Sequence, residues 1–346
     1  MESERLIFTG LKIPKDYKII GGKINMNKIG SVIIPFVGAL VISISGCSDA
    51  TKSKTDCLEN FEFQENIQYE LKELIGEDDK LQTPEGIACY EDLLYVADKD
   101  ADTIKKYDLN GKLLSEIGKT GSAEGELLSP SALAVDQKGN VYVAEEGNYR
   151  ISIFNKEGKF QRSIELAELK EKKEHDFYDL EVNKEGTIFL TLESIEESVC
   201  NLYVIKDGEI KSTTKSVSGV FGTNEDKSEI FYFQSRRWED GRREEAGIYS
   251  DTGYLGVIEK DNIKKLAALP EGYGARDMIV YDNCIYAFNE FCTLDRFTLE
   301  GKYLETVFST ESNSSTAGYS YMTVDKEGNF YLSDEKGTVY KLTKLG

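Results

Sequence analysis

Histidine is almost missing from this chain: a single one, His175, occurs among 346 residues. It lies in the charged stretch of residues 171–176, where a lone His beside Lys and Glu is typical of a solvated side chain. His is the commonest metal ligand and the commonest general acid or base in proteins. The sequence therefore argues against a His-rich metal centre.

Basic residues are also scarce, since 42 Lys and Arg face 62 Asp and Glu and give a formal net charge of −20. Nucleic-acid binding needs a basic surface that neutralises phosphates. Docking onto anionic lipid needs basic residues as well. Both are disfavoured here, and the simplest interpretation of the excess acid is solubility.

The cysteines do not form a recognisable metal site. Apart from Cys47, they lack the paired spacing of a zinc site: Cys57, Cys89, Cys200, Cys284 and Cys292. Cys284 and Cys292 are expected on adjacent strands, where they could approach each other, but the sequence does not decide whether they form a disulfide. The motifs of a nucleophile elbow, a phosphate-binding loop and an HExxH zinc helix do not occur in the sequence either.

What the chain does contain is a repeat. Between Leu81 and the C-terminus one pattern recurs six times: an apolar strand, a tight turn, an aromatic-rich strand, a polar loop and further strands. Residues 130–164 are the clearest copy, and residues 217–257, with a strand at 230–233, are the most degenerate. A strand-built repeat of this size predicts an all-β fold, a six-bladed β-propeller with four strands in each blade.

The turns and the two ends of the repeat region support this prediction. The links at residues 136–140, 183–187 and 325–329 each place Gly fourth of five, as hairpin loops require. The last copy stops after its third strand, which would leave an exposed edge. We predict that residues 67–75 supply the missing strand and close the ring against residues 322–342; a short N-terminal helix is the alternative.

The copies resemble NHL repeats. The second copy carries the resemblance through Pro130, the strand end at 134–136, residues 139–144 and residues 147–151. Glu145 stands where the family usually has Asp, whereas Asp98 and Asp334 keep it. The resemblance covers about 265 residues and implies the propeller fold, but it does not imply one activity.

The segment before the repeats predicts export. Residues 26–46 resemble a bacterial lipoprotein signal peptide, with a Lys28 start, an apolar core at 29–44 and small residues before Cys47. Cys47 is then the expected lipidation site, residues 47–63 a flexible tether and residues 64–346 the propeller. Lipid on Cys47 would hold the protein on the extracytoplasmic side of the cell membrane. An uncleaved anchor helix is the alternative, and we predict that residues 1–25 precede the true translation start.

Ligands of propellers usually bind at the mouth where the innermost strands begin. Aligning the copies places a polar ring there: Glu85, Ser131, Tyr178, Asp179, Arg276, Asp277, Ser320 and Tyr321. Three of these carboxylates could bind Ca²⁺, which prefers oxygen ligands: Glu85, Asp179 and Asp277. The alternative is a set of solvated polar side chains in the channel.

A second candidate site is the loop of residues 235–245, predicted between the second and third strands of the fourth copy. It holds four Arg and the only Trp of the chain: Arg236, Arg237, Trp238, Arg242 and Arg243. Arg and Trp dominate binding hot spots because they combine area with directional donors. The alternative is a long hairpin whose Arg and Glu pair with each other, which contributes little in water.

These patterns predict a protein without catalytic activity that binds a protein partner or a small ligand at the funnel. Lyases on NHL-like propellers rely on funnel histidines, which this chain lacks. The gluconolactonase-like propellers use carboxylates around a divalent metal, so a metal-dependent hydrolase or lactonase is the second hypothesis. A structural spacer at the cell envelope is the third.

Overall fold

The computed structural model describes most of the chain from Glu65 onward: residues 65–76, 81–171, 174–194, 199–214, 219–224, 228–234, 253–259, 262–269, 273–289, 292–309, 319–334 and 336–345. The predicted extension, signal peptide and lipidation site all lie outside these residues. The helices that are described are a short 3-10 helix at Lys99–Ala101 and α1 at Ala167–Glu171. No helix within these described ranges has the length and hydropathy needed to cross a membrane.

The strands form six four-stranded antiparallel sheets, each one blade of a propeller. Blade one has β2 (Pro84–Tyr90), β3 (Leu93–Asp98), β4 (Thr103–Asp108) and β5 (Leu113–Ile117). Blade two has β6 (Pro130–Val135), β7 (Val141–Glu145), β8 (Arg150–Phe154) and β9 (Phe160–Glu165). Blade three has β10 (Glu174–Val182), β11 (Ile188–Ser194), β12 (Val199–Lys206) and β13 (Glu209–Thr214).

Blade four has β14 (Gly219–Thr223), β15 (Ile230–Gln234), β16 (Tyr254–Glu259) and β17 (Asn262–Ala268). Blade five has β18 (Ala275–Tyr281), β19 (Cys284–Asn289), β20 (Thr293–Thr298) and β21 (Tyr303–Ser309). Blade six has β22 (Tyr319–Val324), β23 (Phe330–Asp334) and β24 (Val339–Lys344), and its outer strand is β1 (Tyr69–Ile75). The six-bladed propeller is thus confirmed.

The ring closes as the sequence predicted. β1 runs antiparallel to β24, with Leu71 opposite Leu342 and Ile75 opposite Val339. The same segment also contacts blade five, because Asn66 and Gln68 donate their backbone N–H groups to the carbonyls of Thr306 and Val307. The edge of β24 is therefore covered, which removes the unpaired row of backbone groups that invites aggregation.

The apolar core lies between the blades. Each of six buried clusters joins two neighbouring blades, and together they run around the whole ring, including the contact of blade six with blade one. Strand alternation produces this arrangement: on β11, Leu190 packs toward blade two, while the preceding residue, Phe189, packs toward blade four. The first strand of every blade contacts the first strands of both neighbours, so these strands surround a central channel.

The turns have a shared side-chain mechanism. Asp136 Oδ1 accepts the backbone N–H groups of Lys138 and Asn140, and Gly139 has a φ of +80° that completes the turn. Asp325 repeats these contacts with Glu327 and Asn329. An Asp that holds its own turn in this way explains why Asp-x-x-Gly-Asn recurs between first and second strands.

Three expectations need correction. Blade four extends to Ala268 rather than to residue 257, because β17 was not recognised in the polar segment 262–268. His175 belongs to β10 rather than to a link between elements. Cys284 lies opposite Thr298, at the far end of the β19–β20 pair from Cys292, and neither forms a disulfide.

Candidate ligand-binding site at the funnel mouth

The first strands of five blades begin with a β-bulge. In each, the register with the second strand skips at the start of the strand, around Glu85–Gly86, Ser131, Tyr178, Arg276 and Ser320. We call these five positions, with Glu85 for blade one, the bulge ring. They lie at the channel end where the first strands begin, which we call the funnel mouth; the opposite end, where these strands end, is the far face.

The five positions of the bulge ring are among the eight residues of the polar ring predicted from the sequence. A bulge inserts one extra residue that the partner strand does not pair, and it re-aims that side chain. Repeating the bulge in five blades therefore places one unpaired residue of each of these blades at the same end of the channel. In the described part of blade four, β14 and β15 pair from Gly219 onward without such a shift.

Glu85 belongs to a charged cluster at the mouth. Lys99 Nζ lies 3.3 Å from a Glu85 oxygen and 2.8 Å from a Glu146 oxygen. Burial raises the pKa of Glu85 to about 7, although Lys99 opposes the shift. Burial acts to lower the pKa of Lys99, but Glu146 and Glu85 outweigh it and raise that pKa. Lys99 therefore stays charged and fixes both carboxylates at the rim.

Asp179 and Asp277 follow the bulge in blades three and five, and each ties its blade to the next. Asp179 Oδ2 accepts the backbone N–H of Phe221 on β14 at 2.9 Å. Asp277 accepts the N–H of Met278 with one oxygen and that of Met322, on β22, with the other. First strands have one unpaired edge, so these carboxylates satisfy backbone donors that would otherwise lack a partner.

The same two carboxylates are electrostatically crowded. Burial raises the pKa of Asp179 to about 7, and the charge of Glu181 adds to the effect. Burial also raises the pKa of Asp277 well above its ordinary value, with Asp179 and Glu181 contributing in the same direction. Tyr321 lies within the field of Glu85, Asp179 and Asp277; burial and these charges raise the pKa of its phenol, which stays a hydrogen-bond donor.

Tyr178 and Arg276 are the side chains of the bulge ring that suit recognition of a ligand, whereas Ser131 is buried. Tyr178 is 42% exposed, unusually open for an aromatic residue of a first strand. Arg276 is half-buried on β18, beside Asp277. The hydroxyl of Ser131 is fully buried and has no hydrogen-bond partner among the described residues. The mouth thus offers an aromatic face and a guanidinium beside a carboxylate–lysine cluster.

The predicted metal ligands do share the channel, but their geometry does not favour a metal. Glu85 is engaged with Lys99, and Asp179 and Asp277 each accept backbone N–H groups. In the part of the chain that the structure describes, no group of three or more His, Cys, Asp or Glu side chains is placed to hold a metal ion. The Ca²⁺ site stays a prediction without support from this arrangement.

The Arg-Trp loop lies outside the described residues. Its flanking strands are described: Gln234 at the end of β15 and Tyr254 at the start of β16 pair with each other at the funnel mouth. The loop therefore leaves and re-enters the fold at this end, between the second and third strands of blade four, as predicted.

Sequence reasoning missed the polar network that shapes this mouth. Glu145, at the end of β7, accepts hydrogen bonds from Arg150 at 2.8 Å and from Asn148 at 2.6 Å, and also from the Leu128 N–H. Arg150 in turn donates to the carbonyls of Ser122, Ala123 and Glu126. Glu145 was visible in the sequence as a departure from the NHL pattern, and Asp98 with Lys105 occupies the same place in blade one.

Comparisons with known proteins agree with the fold. Residues 127–154 match the NHL repeat family model. Protein lin-41 of Caenorhabditis elegans is 51% identical over 44 residues, and B-box type zinc finger protein ncl-1 of the same organism is 41% identical over 46. Each match covers 13% of this chain, and the chain spans only 4% and 5% of these relatives.

Three similar solved structures are a gluconolactonase, a calcium-binding protein and a lyase variant. A gluconolactonase from Xanthomonas campestris has a TM-score of 0.55 at 13% identity, covering 80% of this chain and 90% of its own. Regucalcin from Agrobacterium tumefaciens, a calcium-binding protein, has a TM-score of 0.55 at 9% identity, and the match covers 80% of this chain and 95% of regucalcin. An inactive virginiamycin B lyase variant from Staphylococcus aureus, solved with quinupristin, has a TM-score of 0.53 at 13% identity. That match covers 80% of this chain and 100% of the lyase. At these identities the likeness shows the propeller fold alone.

Proposed function

We propose that this protein is an exported, lipid-anchored propeller that binds a protein partner or small ligand at its funnel mouth without catalysis. The bulge ring is the observation that supports the proposal best, because one backbone device places an unpaired residue of five blades at the same end of the channel, Tyr178 and Arg276 among them. An exposed aromatic ring and a guanidinium are the side chains that binding hot spots favour. The Arg-Trp loop, which enters at the same end, would add Arg236, Arg237, Trp238, Arg242 and Arg243 to that surface.

The direction of β1 suits an anchored receptor. Tyr69, where β1 begins, pairs with Lys344 at the far face, and Ile75 pairs with Val339 near the funnel mouth. The chain thus joins the propeller at the far face. A tether to lipid on Cys47 would connect there and would leave the funnel mouth on the opposite side, open to a partner.

Binding at the mouth can be tested by quantitative capture from native envelopes. We expect a Tyr178→Ala, Arg276→Ala double variant to lose most of the captured partner, and a Gly-Ser replacement of residues 235–245 to reduce capture as well. The control is a double variant of an exposed ion pair on the far face, Asp92→Ala with Lys326→Ala, whose 2.7 Å contact contributes little. Equal capture by all forms would contradict the proposal and favour the structural spacer.

The anchor has its own test. We expect metabolic labelling with palmitate to mark the protein, and Cys47→Ala to abolish the label and release the propeller from the membrane fraction. Cys57→Ala, in the same predicted tether, is the matched control and should keep both properties. Labelling that survives loss of Cys47 would refute this part of the proposal.

A metal-dependent hydrolase or lactonase is the second candidate, because carboxylates with raised pKa values share the channel. Elemental analysis of the purified protein separates the two. Stoichiometric Ca²⁺ or Zn²⁺ that is lost in Asp179→Ala would favour the enzyme, whereas metal-free protein that still captures a partner would favour the binding protein.

A further inference from the structure

The bulge at the start of blade three differs from the others, because it is double. The register between β10 and β11 skips at Asp176 and again at Tyr178, and the residue between them, Phe177, pairs with Leu192. The other four bulged first strands each show one register shift. We call residues 176–178 the double bulge. It brings two unpaired residues to the funnel mouth, one on each side of a paired residue.

The two unpaired residues are exposed, whereas the residue between them is buried. Tyr178 and Asp176 are both exposed, and Asp176 has a left-handed φ of +47°. Phe177 belongs to the apolar cluster between blades two and three. An aromatic ring and a carboxylate thus flank a residue that is fixed in the core.

Phe177 is held by the loop that joins β7 to β8 in blade two. Glu146 Oε1 accepts the Phe177 N–H at 3.1 Å, and the other oxygen of Glu146 contacts Lys99 at 2.8 Å. Tyr149, from the same loop, packs edge-on against the Phe177 ring, with 6.2 Å between the ring centroids. Glu146 therefore positions the double bulge through Phe177, and such preorganisation lowers the entropic cost of binding.

Negative charge predominates around the double bulge. Lys99 pairs with both Glu85 and Glu146. Burial raises the pKa of Glu85, and the charges of Glu146 and Asp176 add to the shift, so these carboxylates lie within reach of one another's charge. One lysine thus faces three carboxylates, and a further cation would be attracted to this part of the mouth.

Tyrosine rings elsewhere in this protein already hold cations. Lys170 Nζ lies 5.9 Å from the centre of the Tyr149 ring, and Lys265 Nζ lies 4.1 Å from that of Tyr254. A cation within about 6 Å of a ring centre is attracted by the negative face of the ring. The exposed ring of Tyr178 can take a cation in the same way, with a carboxylate two residues away.

We propose that the double bulge is the recognition element of the funnel mouth and takes an arginine side chain of a partner protein. The guanidinium would lie on the Tyr178 ring and bond to the Asp176 carboxylate, while Glu146 holds the double bulge in place. Arginine suits this pair better than lysine, because its planar guanidinium both stacks on aromatic rings and binds carboxylates with two hydrogen bonds. This inference rests on the proposed function and adds the chemistry of the partner.

NMR titration of the purified full-length protein tests it with two capped tripeptides, Gly-Arg-Gly and Gly-citrulline-Gly. Citrulline has nearly the shape of arginine without its charge. The tyrosines are labelled in the ring, and the Tyr178 signal is identified by its loss in Tyr178→Phe. We expect the arginine peptide to shift this signal and to bind about tenfold more tightly than the citrulline peptide, as one cation–π contact and one exposed ion pair would give.

A pair of aspartates provides a matched control. Asp176→Asn removes the charge and keeps the backbone, because Asn also tolerates a left-handed φ, and it should weaken the arginine peptide about threefold. Asp282 is exposed on the far face with a φ of +46°, so Asp282→Asn makes the same change away from the mouth and should leave the affinity unchanged.

The positioning role of Glu146 is tested by two variants. Glu146→Ala removes the acceptor of the Phe177 N–H and should weaken the arginine peptide about fivefold, the effect of one lost hydrogen bond, whereas Glu146→Gln keeps an acceptor oxygen and should restore most of the affinity. Equal affinity of these two variants would refute the positioning role, even if Glu146→Ala melts at a lower temperature.

The recognition of arginine fails if the two peptides bind equally, if the Tyr178 signal does not move, or if Asp176→Asn binds like the wild type. Capture of a partner at the funnel mouth does not depend on the charge of that partner. Capture that is lost in the Tyr178→Ala, Arg276→Ala variant would therefore still support the proposed function where the arginine peptide does not bind.

Discussion

At the scale of single residues, the buried and half-buried carboxylates of this protein fall into two groups. One group is surrounded by donors: Asp98 contacts Lys105 at 2.8 Å and accepts two backbone N–H groups, and Glu145 is paired with Arg150. The other group, Asp179 and Asp277, faces further carboxylates across the channel. The first group ties loops to strands, whereas the second carries an electrostatic cost that the fold tolerates at its centre.

The crowding of Asp179 predicts a pH dependence of stability. Its pKa is raised to about 7 in the folded protein from 3.8, so the folded state holds a proton that the unfolded state has lost. Its contribution to the free energy of unfolding should therefore fall as pH rises from about 4 to about 7. Asp179→Asn should remove this decline and be more stable than the wild type by roughly 1–3 kcal/mol at pH 8. This range is smaller than the full pKa shift of Asp179 would give, because solvent in the channel screens the charge.

Urea denaturation of both forms at pH 4, 6 and 8 measures this difference. The exposed Glu124→Gln is the matched control and should follow the wild-type profile at all three pH values. An Asp179→Asn profile parallel to the wild type would mean that the carboxylate is not destabilised in the fold.

Arg150 gives a second residue-scale prediction. Its side chain is almost fully buried, pairs with Glu145 and holds three carbonyls of the loop before β6. Arg150→Ala would leave Glu145 buried without its cation, which costs about 3–5 kcal/mol. Thermal unfolding should show a large loss of stability for Arg150→Ala. The control Arg162→Ala, on the exposed strand β9, should change the free energy of unfolding by less than about 0.5 kcal/mol. Similar melting of the two variants would contradict the role assigned to this network.

At the scale of elements, the turn between first and second strands can pack against the preceding blade as well as its own. Gly139 and Gly186 occupy the same place in blades two and three, with φ values of +80° and +74°. A Cβ on Gly139 would lie 2.9 Å from the ring of Tyr90 and 3.0 Å from Lys156, whereas a Cβ on Gly186 would meet nothing within 4 Å. The two turns therefore share a backbone requirement but differ in packing.

This pair of glycines separates the two effects. Gly186→Ala should cost about 1 kcal/mol, the penalty for a left-handed residue with a side chain. Gly139→Ala should cost about 1–3 kcal/mol more, because Tyr90 must move. Chemical denaturation measures both; equal losses would show that the turn of blade two does not depend on its contact with Tyr90.

At the scale of the whole molecule, stability depends on closure of the ring. The apolar clusters join neighbouring blades all the way round, so a gap at one interface exposes apolar surface on two blades. β1 contributes Tyr69 to the cluster between blades five and six and Ile75 to the cluster between blades six and one. One strand thus supports two interfaces.

Truncation tests this dependence. A chain that starts at residue 65 should keep the melting temperature and the oligomeric state of the predicted mature form. A chain that starts at residue 77 lacks β1, exposes the edge of β24 and should melt well below it or aggregate. Light scattering and calorimetry compare the two, and indistinguishable behaviour would show that the propeller does not need this strand.

The sequence by itself determined the architecture, because strands, turns and the Asp-x-x-Gly-Asn links are local features that recur with the repeat. It also predicted which residues stand where the innermost strands begin, since alignment of copies places equivalent residues at equivalent points of a ring. It failed where the signal was polar or irregular: β17 was missed in residues 262–268, and blade four was ended too early.

Only the tertiary structure decided how these side chains are used. The bulges at Tyr178 and Arg276, the bond from Phe221 to Asp179 and the bond from Phe177 to Glu146 all depend on the register between strands and on contacts between blades. A residue 42 positions away in the sequence completes the environment of Asp179. Local patterns carry no information on such distances, whereas closure of the ring fixes them.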